Sequence, residues 1–240
     1  MIIRPLVVFC LFFLSTVALA AGSRPPPLVA VDVGHGIRDG GAASARGRSE
    51  FAFNRDFAEV LATALPAYGV AVRPVNFAGE IGSLVERPRQ AGNSDLFISI
   101  HHDSISEEYL QEWDWDGEAA SYTEHKRGYG IFISAANPEP AISLRCAVAA
   151  GRALREAGFV PTPWHGRKHR AADAENGVWY YDNLVVLYRT RLPALLFEAG
   201  VIKHREEELE LRDPARQQRM AAALARALAG CLLTETPVRE

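Results

Sequence analysis

The chain has 240 residues, 48% of them hydrophobic and 23% charged, which suits one globular domain with a full-sized core. Its formal net charge is −3, which gives no footing for a nucleic-acid partner.

Residues 1–20 read as a removable export signal. Arg4 supplies the positive start, Leu6 to Leu14 is almost wholly apolar, and Ala18-Leu19-Ala20 fits a small-x-small cleavage site. The apolar stretch is short for a permanent span, so no stable membrane span is expected after cleavage; an uncleaved anchor is the other reading. Cys10 lies inside that stretch and would leave with it. Residues 21–27 form a short Pro-rich spacer around Arg24-Pro25-Pro26-Pro27.

The domain is expected over residues 28–232. Leu28–Val33 is a first strand, broken by Gly34-His35-Gly36, and a Gly/Ala/Arg-rich loop runs to Ser49. Ser49 fits an N-cap. The helix that follows carries Phe53, Phe57, Val60, Leu61, Ala64 and Leu65 at the helical period, with Pro66 at its end. Val70–Val75 reads as a strand, Leu84–Asn93 as a short helix containing Pro88, and Asp95–Ile100 as a third strand. Residues 103–127, rich in acids and aromatics with little periodicity, read as a long surface excursion suited to a lid or to docking an activator. Gly130–Ser134 is another strand and Ala141–Ala157 a helix stopped by Gly158. Residues 159–182 read as a second long loop, holding His165, Arg167, Lys168, His169 and Arg170. Leu184–Leu187 and Ala194–Phe197 are the last expected strands. Glu206–Leu211 is a short helix, and a final helix starts at Asp213-Pro214 and runs to about Gly230. A tail over 233–240 is expected to be disordered.

Strands alternate with helices throughout. The fold class is therefore α/β: a single domain with a mainly parallel twisted sheet flanked by helices, and an active site at the carboxyl ends of the strands. Cys146 and Cys231 lie in two expected helices 85 positions apart, and the sequence leaves a disulfide and two buried thiols equally open. No C-x-x-C spacing supports their binding a metal.

Three apolar runs end on residues suited to metal binding or acid–base work. These are LVAVDVG before His35, DLFISI before His101, and ALLF before Glu198. A histidine between two glycines has backbone freedom and few packing neighbours, which suits a ligand. Glu50 opens a helix, where the dipole alone would favour an acid. His101 and His102 are adjacent on a strand, so only one faces a given site; spacing does not choose between them. Glu198 at a buried strand end is costly without a partner or a function, and desolvation there would raise its pKa toward that of a general base. Two histidines and a carboxylate make a catalytic zinc set, with one Glu to spare.

The motifs VDVGHG (31–36), SEFAFN (49–54), DLFISIH (95–101) and PALLFEAG (193–200) occur in this order, with RPRQAGN (87–93) and DPARQQ (213–218) between and after them. This pattern resembles the zinc-dependent N-acetylmuramoyl-L-alanine amidases of the amidase-3 family over nearly all of the mature chain. The resemblance implies one Zn2+ held by His35, Glu50 and His101, with Glu198 as the catalytic glutamate; it selects His101 over His102. It implies hydrolysis of the amide between N-acetylmuramic acid and L-alanine, with peptidoglycan or a muropeptide as substrate. A protein activator is a possible partner, and export is expected, to the periplasm rather than the medium by analogy with the family. Val33 replaces the usual proline, His102-Asp103 replace a small residue and Asn, and Ala199 replaces glycine. Asp32 and Asn54 are candidates to orient the ligands, or local backbone caps. Loop 159–182 is a candidate contact for stem-peptide carboxylates, or a solvated basic loop. The alternatives are a zinc peptidase or carboxypeptidase acting on the stem peptide, and a non-catalytic peptidoglycan-binding module.

Overall fold

A computed structural model describes residues 25–233. The expected export signal, with Cys10, and the tail from residue 234 onward lie outside the described residues. The strands are β1 (Leu28–Val33), β2 (Ala71–Val75), β3 (Leu96–Asp103), β4 (Gln111–Trp115), β5 (Glu118–Tyr122), β6 (Gly130–Ile133), β7 (Arg170–Asp173), β8 (Val178–Tyr180) and β9 (Ala194–Val201). The helices are α1 (Glu50–Ala64), α2 (Glu86–Gln90), α3 (Pro140–Glu156), α4 (Val185–Tyr188), α5 (Glu207–Leu211) and α6 (Pro214–Leu233).

Seven strands form one sheet in the order β2-β1-β3-β9-β6-β8-β7. The first four run parallel, β6 and β8 run the other way, and β7 turns back along the edge. This is the expected mainly parallel α/β sheet. The central strands are apolar on both sides because both faces are covered. On one face Ile98, Ile100, Leu195 and Phe197 pack against Phe53, Phe57 and Leu61 of α1, Leu154 of α3 and Leu224 of α6. On the other, Ala30, Phe97, Phe132 and Leu196 meet Trp179 and Leu187 under the short helix α4.

The start of α1 departs from the expected cap. Ser49 has the extended backbone of an N-cap, but its side chain makes no cap hydrogen bond. The loop before it does the work: the N–H groups of Glu50 and Phe51 donate to the carbonyls of Ala42 (2.8 Å) and Gly40 (2.9 Å). Four segments differ from expectation. Leu184–Leu187 does not form a strand. Its last three residues turn helical as the start of α4, with Asn137 Nδ2 donating to the Leu187 carbonyl at 2.6 Å; a short apolar run does not distinguish the two by periodicity. The expected helix over 84–93 contracts to the five residues of α2, which contain Pro88. The excursion 103–127 folds into the hairpin β4–β5, because Asp116 (φ 59°) and Gly117 (φ 84°) both accept the left-handed backbone of a tight hairpin turn. The supposed loop 159–182 supplies β7 and β8, which extend the main sheet.

Cys146 and Cys231 form a disulfide, with Cα atoms 5.4 Å apart, joining α3 to α6 across 85 residues of chain. The bond lies on the three-helix face. Replacing both cysteines by serine should lower stability by about 2–4 kcal/mol through the loosened unfolded chain. Calorimetry would read this as a drop of several degrees in Tm, reproduced by reductant on the native chain; an unchanged Tm would contradict the bond's contribution.

Candidate active site

Residues paired across a sheet share a face, so register decides what meets at the rim. His101 of β3 stands opposite Glu198 of β9, and Glu198 opposite Gly130 of β6, all on the face that bears Phe97 and Leu196. His35 joins them from the turn after β1. Its backbone is left-handed (φ 63°), and its carbonyl accepts hydrogen bonds from Asn76 Nδ2 (2.6 Å) and from the Arg87 guanidinium. The preceding Gly34 passes so close under the His101 ring that a methyl group there would overlap it.

Glu50, the first residue of α1, ties the two histidines together. Its Oε2 lies 3.1 Å from His35 Nε2 and its Oε1 3.0 Å from His101 Nδ1. The ligand atoms of His35, Glu50 and His101 all lie within 4.8 Å of one another. Oε2 also accepts the Ala42 N–H (3.2 Å), and Oε1 accepts Asn54 Nδ2 (3.2 Å) and the His102 N–H (3.4 Å). Burial alone would raise the Glu50 pKa, but hydrogen bonds from His101 and His35 outweigh it and hold this carboxyl far below the usual range. For His35, burial works downward, and the bond and charge of Glu50 reverse it to a net rise.

Alternation places His102 on the opposite face. It is buried between the rings of Phe53 and Phe57, with centroids 5.5 and 6.4 Å away. Asn54 Nδ2 donates to Glu50 and to the Gly34 carbonyl, so Asn54 Oδ1 is the acceptor facing His102 Nδ1 at 2.9 Å. Nδ1 of His102 therefore carries the proton. Burial pushes the His102 pKa down to about 3, so the ring stays neutral. His102 is not among the groups gathered as ligands; it holds Asn54, which holds Glu50. Asp32 makes no hydrogen bond to His35, Glu50 or His101: its Oδ2 accepts from Ser99 Oγ at 2.7 Å, and its buried Oδ1 has no hydrogen-bond partner among the described residues.

Glu198 has a buried Oε2 with no hydrogen-bond partner among the described residues. Burial, and then the charges of Asp103 and Glu50, raise its pKa well above the ordinary glutamate value. Asp103 is ion-paired to Lys126 and lies 3.2 Å from His165 Nε2. Sequence reasoning passed over Asn76, Arg87 as a carbonyl clamp and Lys126; it placed His165 only in a loop considered for stem-peptide carboxylates, whereas the structure buries it beside Asp103. Only RPRQAGN carried a signal for any of these, and it was a signal of family rather than of contact.

A family model described as N-acetylmuramoyl-L-alanine amidase, Amidase_3, matches residues 29–230. The chain belongs to the Amidase_3 family. It is a peptidoglycan amidase, hydrolysing the amide between N-acetylmuramic acid and L-alanine, which decides against the stem-peptide peptidase and the non-catalytic module. The fold is similar to the amidase Ami1 from Mycobacterium smegmatis, with 20% identity and a TM-score of 0.69 over 87% of this chain and 98% of that one. It is also similar to an N-acetylmuramoyl-L-alanine amidase from Clostridium difficile 630 (19%, TM-score 0.68, covering 89% and 100%). The catalytic domain of CwlV from Bacillus (Paenibacillus) polymyxa var. colistinus is a third (22%, TM-score 0.63, covering 87% and 99%). No curated protein sequence matches the chain.

Because Asn54 and His102 hold Glu50, Asn54→Ala and His102→Ala should each weaken binding of a metal ion at His35, Glu50 and His101 by about 10- to 100-fold. Competition against a chromophoric chelator would measure this. Unchanged affinity in both variants would mean that the Ala42 and His102 backbone donors suffice to hold the carboxylate.

Proposed function

We propose that the amidase works with one Zn2+ held by His35, Glu50 and His101, and that Glu198 is its proton carrier. One observation carries this reading: two imidazoles and a carboxylate converge within 4.8 Å at the rim, beside a carboxyl whose buried Oε2 has no hydrogen-bond partner among the described residues. Three protein ligands with an open fourth position are the donor set of a catalytic zinc, and the support of Glu50 by Asn54, His102 and Ala42 fits a pre-built ligand shell. When bound, zinc supplies a Lewis acid for the scissile carbonyl and acidifies water at the site.

The chain's own residues then divide the work. Glu50 stays ionised, because His35 and His101 hold its pKa down. Glu198, whose pKa burial and then the charges of Asp103 and Glu50 raise well above the ordinary glutamate value, is suited to accept and release a proton. It takes a proton from the attacking water as the C–O bond forms, and delivers it to the L-alanine nitrogen as the C–N bond breaks. Arg167 and Lys168 sit exposed on the 3-10 turn and its cap, with Arg167 stacked 4.3 Å over Trp164, and there meet carboxylates of the stem peptide.

The protein is exported, with residues 1–20 as its signal, and acts in the periplasm; no helix among the described residues is long and apolar enough to cross a membrane. An activator protein is a further partner. A structural relative, the CwlD amidase of Clostridioides difficile, was solved with the GerS lipoprotein (16% identity, TM-score 0.64), and here the exposed β4–β5 hairpin offers such a partner a surface.

Digestion of purified peptidoglycan, followed by mass spectrometry, should show intact stem peptides released only with zinc. Glu198→Ala should lose at least about a thousandfold in kcat while still binding zinc. Since the Glu198 pKa is raised and its base form is the active one, kcat/KM should fall with acidity at a pH above the ordinary glutamate value of about 4.3. A limb at or below that value would contradict the assignment. Arg167→Glu with Lys168→Glu should raise KM by about tenfold with kcat little changed; an unmoved KM would exclude the peptide contact.

A further inference from the structure

The Glu198 side chain has three rotatable bonds, and its buried Oε2 has no hydrogen-bond partner among the described residues. Polar contacts therefore do not fix that oxygen, and packing walls must set the stance of the carboxyl. On one side stands His101, its register partner on β3. On the other the register partner is Gly130 of β6, which has no side chain. Opposed residues in an antiparallel pair hold their Cβ atoms about 4.5–5.5 Å apart, so the glycine leaves a gap the size of a side chain against Glu198.

That gap is filled from outside the strand. His165, on the 3-10 turn Pro163–Arg167, lays its ring where a residue-130 side chain would be. Its Cδ2 and Nε2 lie 2.6 Å from the position a Gly130 Cβ would take. The ring is buried, stands edge-on to Phe132 at 4.6 Å, and faces the Asp103 carboxylate at 3.2 Å. Asp103 is in turn paired to Lys126, whose Nζ also donates to the Ser104 carbonyl at 2.8 Å.

We propose that His165 is a positioning residue of the amidase reaction: it supplies from a loop the side chain that Gly130 lacks, and so holds the Glu198 carboxyl toward His35, Glu50 and His101. The inference rests on the reading of Glu198 as proton carrier. The wall belongs to a segment fastened to the other excursion, since Trp164 stands 5.0 Å from Tyr109 and Arg167 lies over both rings. Displacing either excursion therefore moves the wall of Glu198.

The test compares the zinc-loaded wild type with H165A, H165Q, G130A and E198A, measuring kcat and KM on peptidoglycan, zinc affinity and Tm. H165A should lower kcat by about 10- to 100-fold, the cost of a misplaced catalytic group. KM should stay within about threefold and zinc affinity should be unchanged, which a general loss of structure would not give. H165Q, which refills part of the space, should recover part of kcat. G130A removes no functional group, yet its methyl occupies the place of the ring; it should lower kcat in the same way, and it keeps the test decisive if H165A does not fold. Wild-type kcat in folded H165A and G130A would overturn the inference, as would a loss confined to KM. An active E198A would remove its premise. An inactive E198A beside unaffected H165A and G130A would remove only the wall.

Discussion

The register between β3 and β9 fixes the frame on which the candidate site is assembled. It puts His101 opposite Glu198, and through β6 it puts Glu198 opposite Gly130. Side chains alternate along a strand, so a slip of one residue would send His101 to the helical face and bring His102 to the rim. The apolar runs on either side prevent such a slip. Ile98 and Ile100 of β3, with Leu195 and Phe197 of β9, are all fully buried against α1, α3 and α6, and turning them over would expose that core. The precision of the site is thus underwritten by packing on the face where no chemistry occurs.

Three buried or half-buried carboxyls stand close enough to feel one another, and their surroundings separate their behaviour. Glu50 meets two imidazoles and several N–H donors, and Asp103 meets His165 and Lys126; burial raises both, but these partners outweigh it and keep both acids charged. Glu198 receives no donor at Oε2 and feels the negative charge of the other two, so its proton affinity rises. One cluster of acids therefore contains two groups biased toward the charged form and one biased toward the protonated form. The difference comes from who donates to whom rather than from depth of burial.

The fold class was legible in the alternation of strands and helices, and three of the four candidate site positions were marked because they sit at the ends of apolar strands, where a polar residue has little structural reason to be. His35, His101 and Glu198 all carry that mark, and Glu50 was recoverable only through its neighbours in SEFAFN. The excursions were misread for a different reason. In 103–127 the DG pair at Asp116-Gly117 was a usable hairpin signal, masked by the density of acids around it. In 159–182 the three-residue strand β8 is too short to show a period and draws its stability from pairing with β6. The pairing of Lys126 and His165 with Asp103 was invisible in principle, since a cation and an imidazole in a loop reveal nothing of a carboxylate distant in the chain. The choice between His101 and His102 needed the family resemblance, and the structure gives its physical basis in the two faces of β3.

The imidazole at position 102 also limits what that position can become. A neutral ring is packed between Phe53 and Phe57 with its Nδ1–H aimed at Asn54. A small side chain introduced there by one mutation would open a void beneath α1 and strand a buried amide oxygen, a penalty of about 1–3 kcal/mol for the acceptor alone. A smaller residue is acceptable only if helix residues change with it, so position 102 and α1 are coupled in sequence as well as in space.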